Sequence, residues 1–288
     1  MGSRMKKQSK KVPKTLASPK GMITYLLLIV FALVMVLPFF WLVTSSFKAP
    51  DEIFAVPLKW LPNSFRYVEN YKQAFSAAPF GKFYFNSIKI AVLRIAGVLF
   101  FSSLAAFSFA KLNFRGKNVL YLLIIATLML PAQVTIIPTY YLMSKLKWIN
   151  THLPLIVPLF FDGFVVFMLR QFFITIPDSL FDAAKIDGAG YLRMFFTIVM
   201  PLSKPVIASV SILIFIWSWN DVLGPLIFIN SQSLLPISLG MNVFKQTYNT
   251  RYGPMFAGSV ISQIPLLIVF LFGQKYFQQG IATTGIKG

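Results

Sequence analysis

Side-chain catalysis needs nucleophiles, bases or metal ligands within reach of one another, and this chain of 288 residues carries eight acids, one histidine and no cysteine. Lack of cysteine excludes disulfides, thiol chemistry and cysteine metal sites. With His152 alone there is no imidazole pair for a metal, and a nucleophile–base arrangement cannot be assembled; His152 itself reads as a polar residue of an outer loop. A phosphate-cradling Gly-x-x-x-x-Gly-Lys-Ser/Thr loop is absent, so the chain is not expected to bind ATP. What stands out instead is one polar, small-residue segment, FDAAKIDGAGYLRMFFTIVMPLSKP from Phe181 to Pro205, set in a very apolar chain. Pro177-Asp178-Ser179 before it predicts a helix start, since Asp or Ser can cap free N–H groups and acids favour the positive end of the helix dipole. The helix should run through Ala184. Gly188 and Gly190 then allow a turn with positive backbone angles, Tyr191 to Val199 forms a second apolar stretch, and Pro201 and Pro205 punctuate its end. The predicted product is a helix–turn–helix that offers carboxylates to something outside the apolar phase.

Composition says what that phase is. Hydrophobic residues make up 57% of the chain, charged residues 12%, and phenylalanine alone occurs 31 times, more than a soluble domain hides. A bilayer supplies the apolar solvent, and a spanning helix needs about 20 mostly apolar residues. Six stretches qualify: Met22 to Ser45, Asn86 to Ala110, Val119 to Tyr141, Pro154 to Ile176, Pro205 to Ile229 and Pro254 to Phe272. The expected fold is therefore an all-α integral membrane protein of six transmembrane helices, with the polar loop, about 177–204, between spans four and five. Residues 1–21 form a basic tail, 22–288 one transmembrane domain, and about 273–288 a C-terminal cytoplasmic tail.

Orientation follows from the cations. The tail holds Arg4, Lys6, Lys7, Lys10, Lys11, Lys14 and Lys20 and no acid, which places it in the cytoplasm by the positive-inside rule. An even number of spans returns the C-terminus to that side. Sixteen lysines and arginines then lie on the cytoplasmic side and nine on the other, with Lys89 and Arg94 inside span two. The polar loop is thereby cytoplasmic. The formal charge of +19 is accounted for by this topology and by attraction of the tail to anionic lipid head groups, with no nucleic-acid module present. Met22 to Phe47 is too long for a cleaved signal core and reads as a retained signal anchor.

The loop resembles that of importer permeases of the ATP-binding cassette class, whose pattern is Glu-Ala-Ala, three residues, Gly, nine residues, Ile, one residue, Leu-Pro. Asp182-Ala183-Ala184 stand for the triplet, Gly188 for the glycine, Ile198 for the isoleucine and Met200-Pro201 for the last pair; Asp182 is one methylene shorter than the family's glutamate and Met200 replaces leucine. Ser45-Ser46-Phe47-Lys48, Asn150-Thr151, Trp219-Asn220-Asp221 and the ending Gln274-Lys275-Tyr276-Phe277 through Gly285-Ile286-Lys287-Gly288 are similar to the second permease subunit of maltose-type carbohydrate importers. The resemblance implies a bacterial inner-membrane permease paired with a second, homologous permease, two ATPase subunits that hold the ATP and Mg, and an extracytoplasmic sugar-binding protein. This chain would bind no cofactor. It further implies that Asp182, Ala183, Ala184, Asp187, Gly188, Ile198 and Pro201 couple to the ATPase, and that Gly285, Ile286, Lys287 and Gly288 also touch it. The outer segment from Lys48 to Lys82, with Trp60, Tyr67 and Tyr71, would contribute to the face that receives the binding protein.

A sugar path needs aromatic faces for stacking with amides and carboxylates for hydroxyls, and Trp217, Trp219, Asn220, Asp221 and Gln263 are the residues of spans five and six that could provide them. Tryptophan in a span also serves packing, and Asn or Gln can act as interhelical glue. The alternative function is an ion-coupled secondary transporter, which would place ionisable groups in its spans; Asp162, Asp221, Lys89 and Arg94 are the candidates, the two cations being expected to snorkel outward.

Overall fold

Proline and glycine set the breaks in this chain, and the apolar runs between them set the helices. The computed structural model describes residues 19–65, 67–244 and 251–285, and among these no strand occurs. Helix α1 is Pro19–Ser45, α2 Glu69–Ala77, α3 Phe80–Lys111, α4 Lys117–Thr127, α5 Ile136–Lys145, α6 Gly163–Ile174, α7 Asp178–Ile186, α8 Lys204–Asn220, α9 Leu223–Phe228 and α10 Tyr252–Gly285. The basic tail falls almost entirely outside the described residues.

Among the described residues, four runs are long and apolar enough to cross a membrane: Gly21–Ser45, Phe80–Lys111, Leu153–Ile174 and Tyr252–Lys275. A fifth is counted if Tyr191–Leu202 and Lys204–Asn220, bent by 81° at Ser203, form one broken span. The expected third span is not one helix. It is divided into α4 and α5 by a turn ending at Pro131 and a 3-10 stretch, Ala132–Thr135. Proline lacks the N–H that would continue the ladder, and its ring drives Leu130 away from helical angles. Span five is also shorter than Pro205 to Ile229, because α8 stops at Asn220, Asp221 is extended, and the chain resumes helically only at Leu223. Span six, by contrast, continues without interruption past Phe272, so the expected tail begins as the end of α10.

The core is built on α3, which packs most extensively on α6 and then on α8, while α10 packs on α8 and α2. One apolar cluster joins Val98, Ala106 and Phe107 of α3 to Val165, Leu169 and Phe173 of α6 and to Val210 and Ile214 of α8. Close approach is enforced by size: a Cβ at Gly97 would overlap the Phe160 ring, so α3 can lie directly against the break that precedes α6. Helix α1 packs on α10 and otherwise leaves its apolar surface exposed, from Met22 to Phe40.

Candidate functional site

The polar loop is a short helix bolted to the end of α3. Phe181 of α7 is buried against Phe107, ring centroids 6.2 Å apart, with Phe195 packed on the same ring at 5.5 Å. Lys111, the last residue of α3, donates to Asp178 Oδ1 at 2.7 Å and to the Ile176 carbonyl at 2.6 Å, and its ammonium lies 5.1 Å from the centre of the Phe181 ring. That ammonium holds the Asp178 carboxyl below the usual carboxylate range. Asp178 therefore serves as a partner for Lys111 and not as the expected cap, since no side chain caps the start of α7. The helix also runs two residues beyond Ala184, to Ile186.

Its C-terminus is closed by backbone alone. Gly188 has φ +76°, its N–H bonds the Lys185 carbonyl at 3.0 Å, and the Ala189 N–H bonds the Ala184 carbonyl at 2.8 Å. These two bonds around a left-handed residue are a Schellman motif, and they account for glycine at 188. Asp187 is the C-cap. Ala184 and Ala189 pack on the core cluster, whereas Asp182, Ala183, Asp187 and Gly188 face outward. Among the described residues Asp182 is braced only by Lys185, at 3.1 Å on the exposed face. After Gly190 the chain forms Tyr191–Met194, a π turn at Phe195–Val199 and a last turn at Met200–Leu202, with Ile198 half-buried and Pro201 exposed. The loop thus presents small residues, a carboxylate and the exposed Ile186, Tyr191 and Leu192 on a seat fixed by aromatic packing.

The span-five residues divide between packing and open positions. Trp219 is 3% exposed, its indole N–H donates to the Ser262 carbonyl at 3.0 Å, and it stacks on Phe215 at 5.3 Å, so it holds α8 to α10 and does not line an open path. Asn220 is exposed and donates to the Ile216 carbonyl, and Gln263 is half-buried on α10. Trp217 is open, 39% exposed, with Phe164 of α6 at 5.7 Å. Asp221 ends α8 and accepts from the Gly224 N–H at 3.0 Å; a Cβ on Gly224 would lie 2.6 Å from its carboxylate.

The residue that the sequence reading misplaced is Arg94. Instead of snorkelling, it is 9% exposed, its Nε has no hydrogen-bond partner, and the carboxylates acting on it are Asp221 and Asp162. Asp162 is the N-cap of α6, accepting from the Phe164 and Val165 N–H groups at 2.9 and 3.1 Å. Its own N–H bonds Ser102 of α3 at 3.0 Å. Arg94, Asp162, Asp221, Phe164 and Trp217 therefore gather where spans four and five both break. Neither break was legible as periodicity, and this juxtaposition could not be read from spacing. His152 is likewise buried, with its Nε2–H donating to the Leu234 carbonyl at 2.8 Å, and is not a solvated loop residue. Of the expected C-terminal contact, Gly285 is the last residue of α10, and Ile286, Lys287 and Gly288 lie outside the described residues.

Residues 98–283 match the family described as binding-protein-dependent transport system inner membrane component. This chain belongs to that family. The arabinooligosaccharides transport system permease protein AraQ of Halalkalibacterium halodurans is 32% identical over 260 residues, covering 89% of this chain and 93% of the relative. The sn-glycerol-3-phosphate transport system permease protein UgpE of Yersinia enterocolitica is 30% identical, covering 89% and 94%. The crystal structure of a bacterial ABC transporter involved in the import of the acidic polysaccharide alginate contains a chain with the same fold, TM-score 0.81 at 22% identity, covering 92% of this chain and 98% of that one. A family member of this kind is a multi-pass transport protein and not an enzyme, and dependence on a binding protein favours the importer over the ion-coupled carrier.

Proposed function

We propose that this chain is one of the two membrane-spanning permeases of an ATP-driven importer of a carbohydrate, and that the α7–Gly188 turn is its contact with the ATPase. The observation that carries the reading is the seat of α7: an outward-facing tip of Asp182, Ala183 and Asp187 on a helix whose other face, Phe181 and Ala184, is locked to α3 through Phe107 and Lys111. A push on such a tip moves α3, whereas a loose loop would absorb it, and a change of state requires contacts that differ between states. The ATP and Mg belong to two partner ATPase subunits. A second permease and an extracytoplasmic binding protein complete the complex, with both termini of this chain and the α7 loop in the cytoplasm, the C-terminal residues through Gly288 adding to the ATPase contact, and the 48–82 segment outside. Saccharide is the substrate class supported by the arabinooligosaccharide relative.

Within the membrane the path on this chain's side is the Arg94–Asp162–Asp221 group with the open Trp217. A guanidinium gives hydrogen bonds and carboxylates accept them, which suits ring hydroxyls, and an exposed indole face suits a sugar ring. The test of the coupling role is Gly188→Val. A β-branched residue at φ +76° costs about 1–2 kcal/mol in the left-handed region and has no clash to relieve, so it disrupts the turn while leaving the spans intact. Expected is loss of ATPase co-purification and of substrate-stimulated hydrolysis, with the permease still inserted. Wild-type stimulated hydrolysis and uptake would remove α7 from the coupling pathway.

A further inference from the structure

Beside the α7 seat, on the same end of the bundle, lies a second feature that the transport reading does not use. The loop from Asn113 to Val119, together with Arg170 of α6, lines a cavity of about 560 Å³. Its cations are not balanced. Lys117 donates to the Leu112 carbonyl at 2.7 Å and Arg170 donates through Nε to the Phe109 carbonyl at 3.1 Å, both to neutral acceptors. Arg170 also lies 4.1 Å over the Tyr121 ring. Among the described residues the carboxylates form ion pairs with Lys72, Lys111 and Lys185 only, so neither Lys117 nor Arg170 has one. Lys117 and Arg170 line the same cavity, close enough for the Arg170 charge to act on Lys117, and two cations without a carboxylate partner favour an anion between them.

Directly along α4 from this cavity runs an apolar one of about 490 Å³, lined by Leu120, Leu123, Ile124, Thr127, Phe109 and Phe161. Phe109 joins the two, with its ring 5.8 Å from Phe114 of the basic cavity and 5.6 Å from Tyr121. Gly163 permits the groove, because a Cβ there would already reach Ile124 and Leu128 at 3.3 Å. Helix α4, 11 residues, is about 16 Å long, which is the reach of a good part of one acyl chain.

We infer that this pair of cavities is a binding site for one anionic phospholipid, the phosphate between Lys117 and Arg170 and an acyl chain along Leu120, Leu123 and Ile124. A free phosphate would use only the basic half, and a zwitterionic lipid would add a cation of its own beside Lys117 and Arg170. Occupied, the lipid would tie α4 to α6 at the edge of the α7 seat, and this holds whether or not the importer reading does.

The experiment is native mass spectrometry of the full-length chain in detergent, titrated with phosphatidylglycerol, with phosphatidylcholine and with glycerol 3-phosphate as a head group lacking chains. Phosphatidylglycerol should be retained selectively, and Lys117→Gln with Arg170→Gln should weaken it about thirty-fold, at about one kcal/mol per cation. Because Arg170 also braces Phe109, a second variant leaves the cations alone: Leu123→Trp, at an exposed position of the groove, should weaken the lipid and not the head group. Equal retention of the two lipids, or glycerol 3-phosphate binding as tightly as phosphatidylglycerol, overturns the assignment. So does unchanged lipid binding in both variants.

Discussion

Asn150 and His152 show how single residues make the broken spans tolerable. Asn150 takes φ +60°, a conformation that asparagine accepts better than most, and its Oδ1 receives the N–H groups of Asn230 and Ser231 at 3.0 and 2.9 Å. Two residues on, His152 holds the Leu234 carbonyl. Together they fasten the start of span four to the segment that follows α9, so the family's Asn150-Thr151 signature is a staple and not a ligand site. Burial lowers the His152 pKa, with the Leu234 carbonyl opposing and Lys89 adding to the shift. A folded-state pKa below the ordinary value of about 6.5 means that the neutral ring is the one the fold prefers. Its contribution is therefore complete above pH ~6.5 and is lost as the pH falls through the folded-state value. Thermal melts of the detergent-solubilised protein should show the wild type losing stability as the pH falls below about 6.5, relative to His152→Gln, which has no such titration. Parallel pH profiles for the two proteins would mean that His152 is solvated.

At the scale of elements, α7 matters because of what it rests on. Phe181→Ala removes a buried ring from between Phe107 and Lys111, a change that costs about 3–5 kcal/mol in a well-packed core. Much of that loss should be local, since α7 ends in its own Schellman turn and the spans keep their packing. Expected is a complex that assembles in reduced yield and hydrolyses ATP without importing substrate, whereas Asp182→Asn, exposed and paired only to Lys185, should weaken ATPase docking without changing the melting temperature. A Phe181→Ala protein with wild-type uptake per mole of complex would show that the seat carries no force. The sequence made this element legible: Asp182, Gly188 and Pro201 stand where the pattern puts them, and the glycine is explained by its positive φ. It failed on the spans, because apolar content marks where a chain can be in lipid and is silent on where its helices stop. Pro131 was the available sign for span three. In span five Gly224-Pro225 was the sign of a break, and the Asp221 carboxylate's bond to the Gly224 N–H shows that the helix ends a few residues earlier, at Asn220.

For the whole molecule, α3 is the element that connects the two candidate sites. It is one uninterrupted helix from Phe80 to Lys111, with Lys111 on the α7 seat and Arg94 some 26 Å away at 1.5 Å per residue. Along that length it is pinned to the break before α6 by Gly97 against Phe160 and by Ser102 against Asp162. A displacement of α7 would therefore reach the Arg94 group as movement of a rigid rod past the two places where spans four and five can yield. A buried guanidinium in such a position is costly unless something accepts its hydrogen bonds, and among the described residues no carboxylate forms an ion pair with it. If a substrate hydroxyl is that acceptor, Arg94→Gln should lower uptake about ten-fold, the loss of one charge-assisted hydrogen bond, while complex yield and basal ATP hydrolysis stay at wild-type levels. Arg94→Lys, which keeps the charge and loses the fork of donors, should likewise assemble fully and recover uptake only in part. If Arg94 merely balances Asp162 and Asp221 within the fold, Gln should lower the melting temperature and yield, Lys should restore both, and uptake per mole of complex should not change in either variant. That second outcome would take the group off the transport path and leave Trp217 to be tested alone.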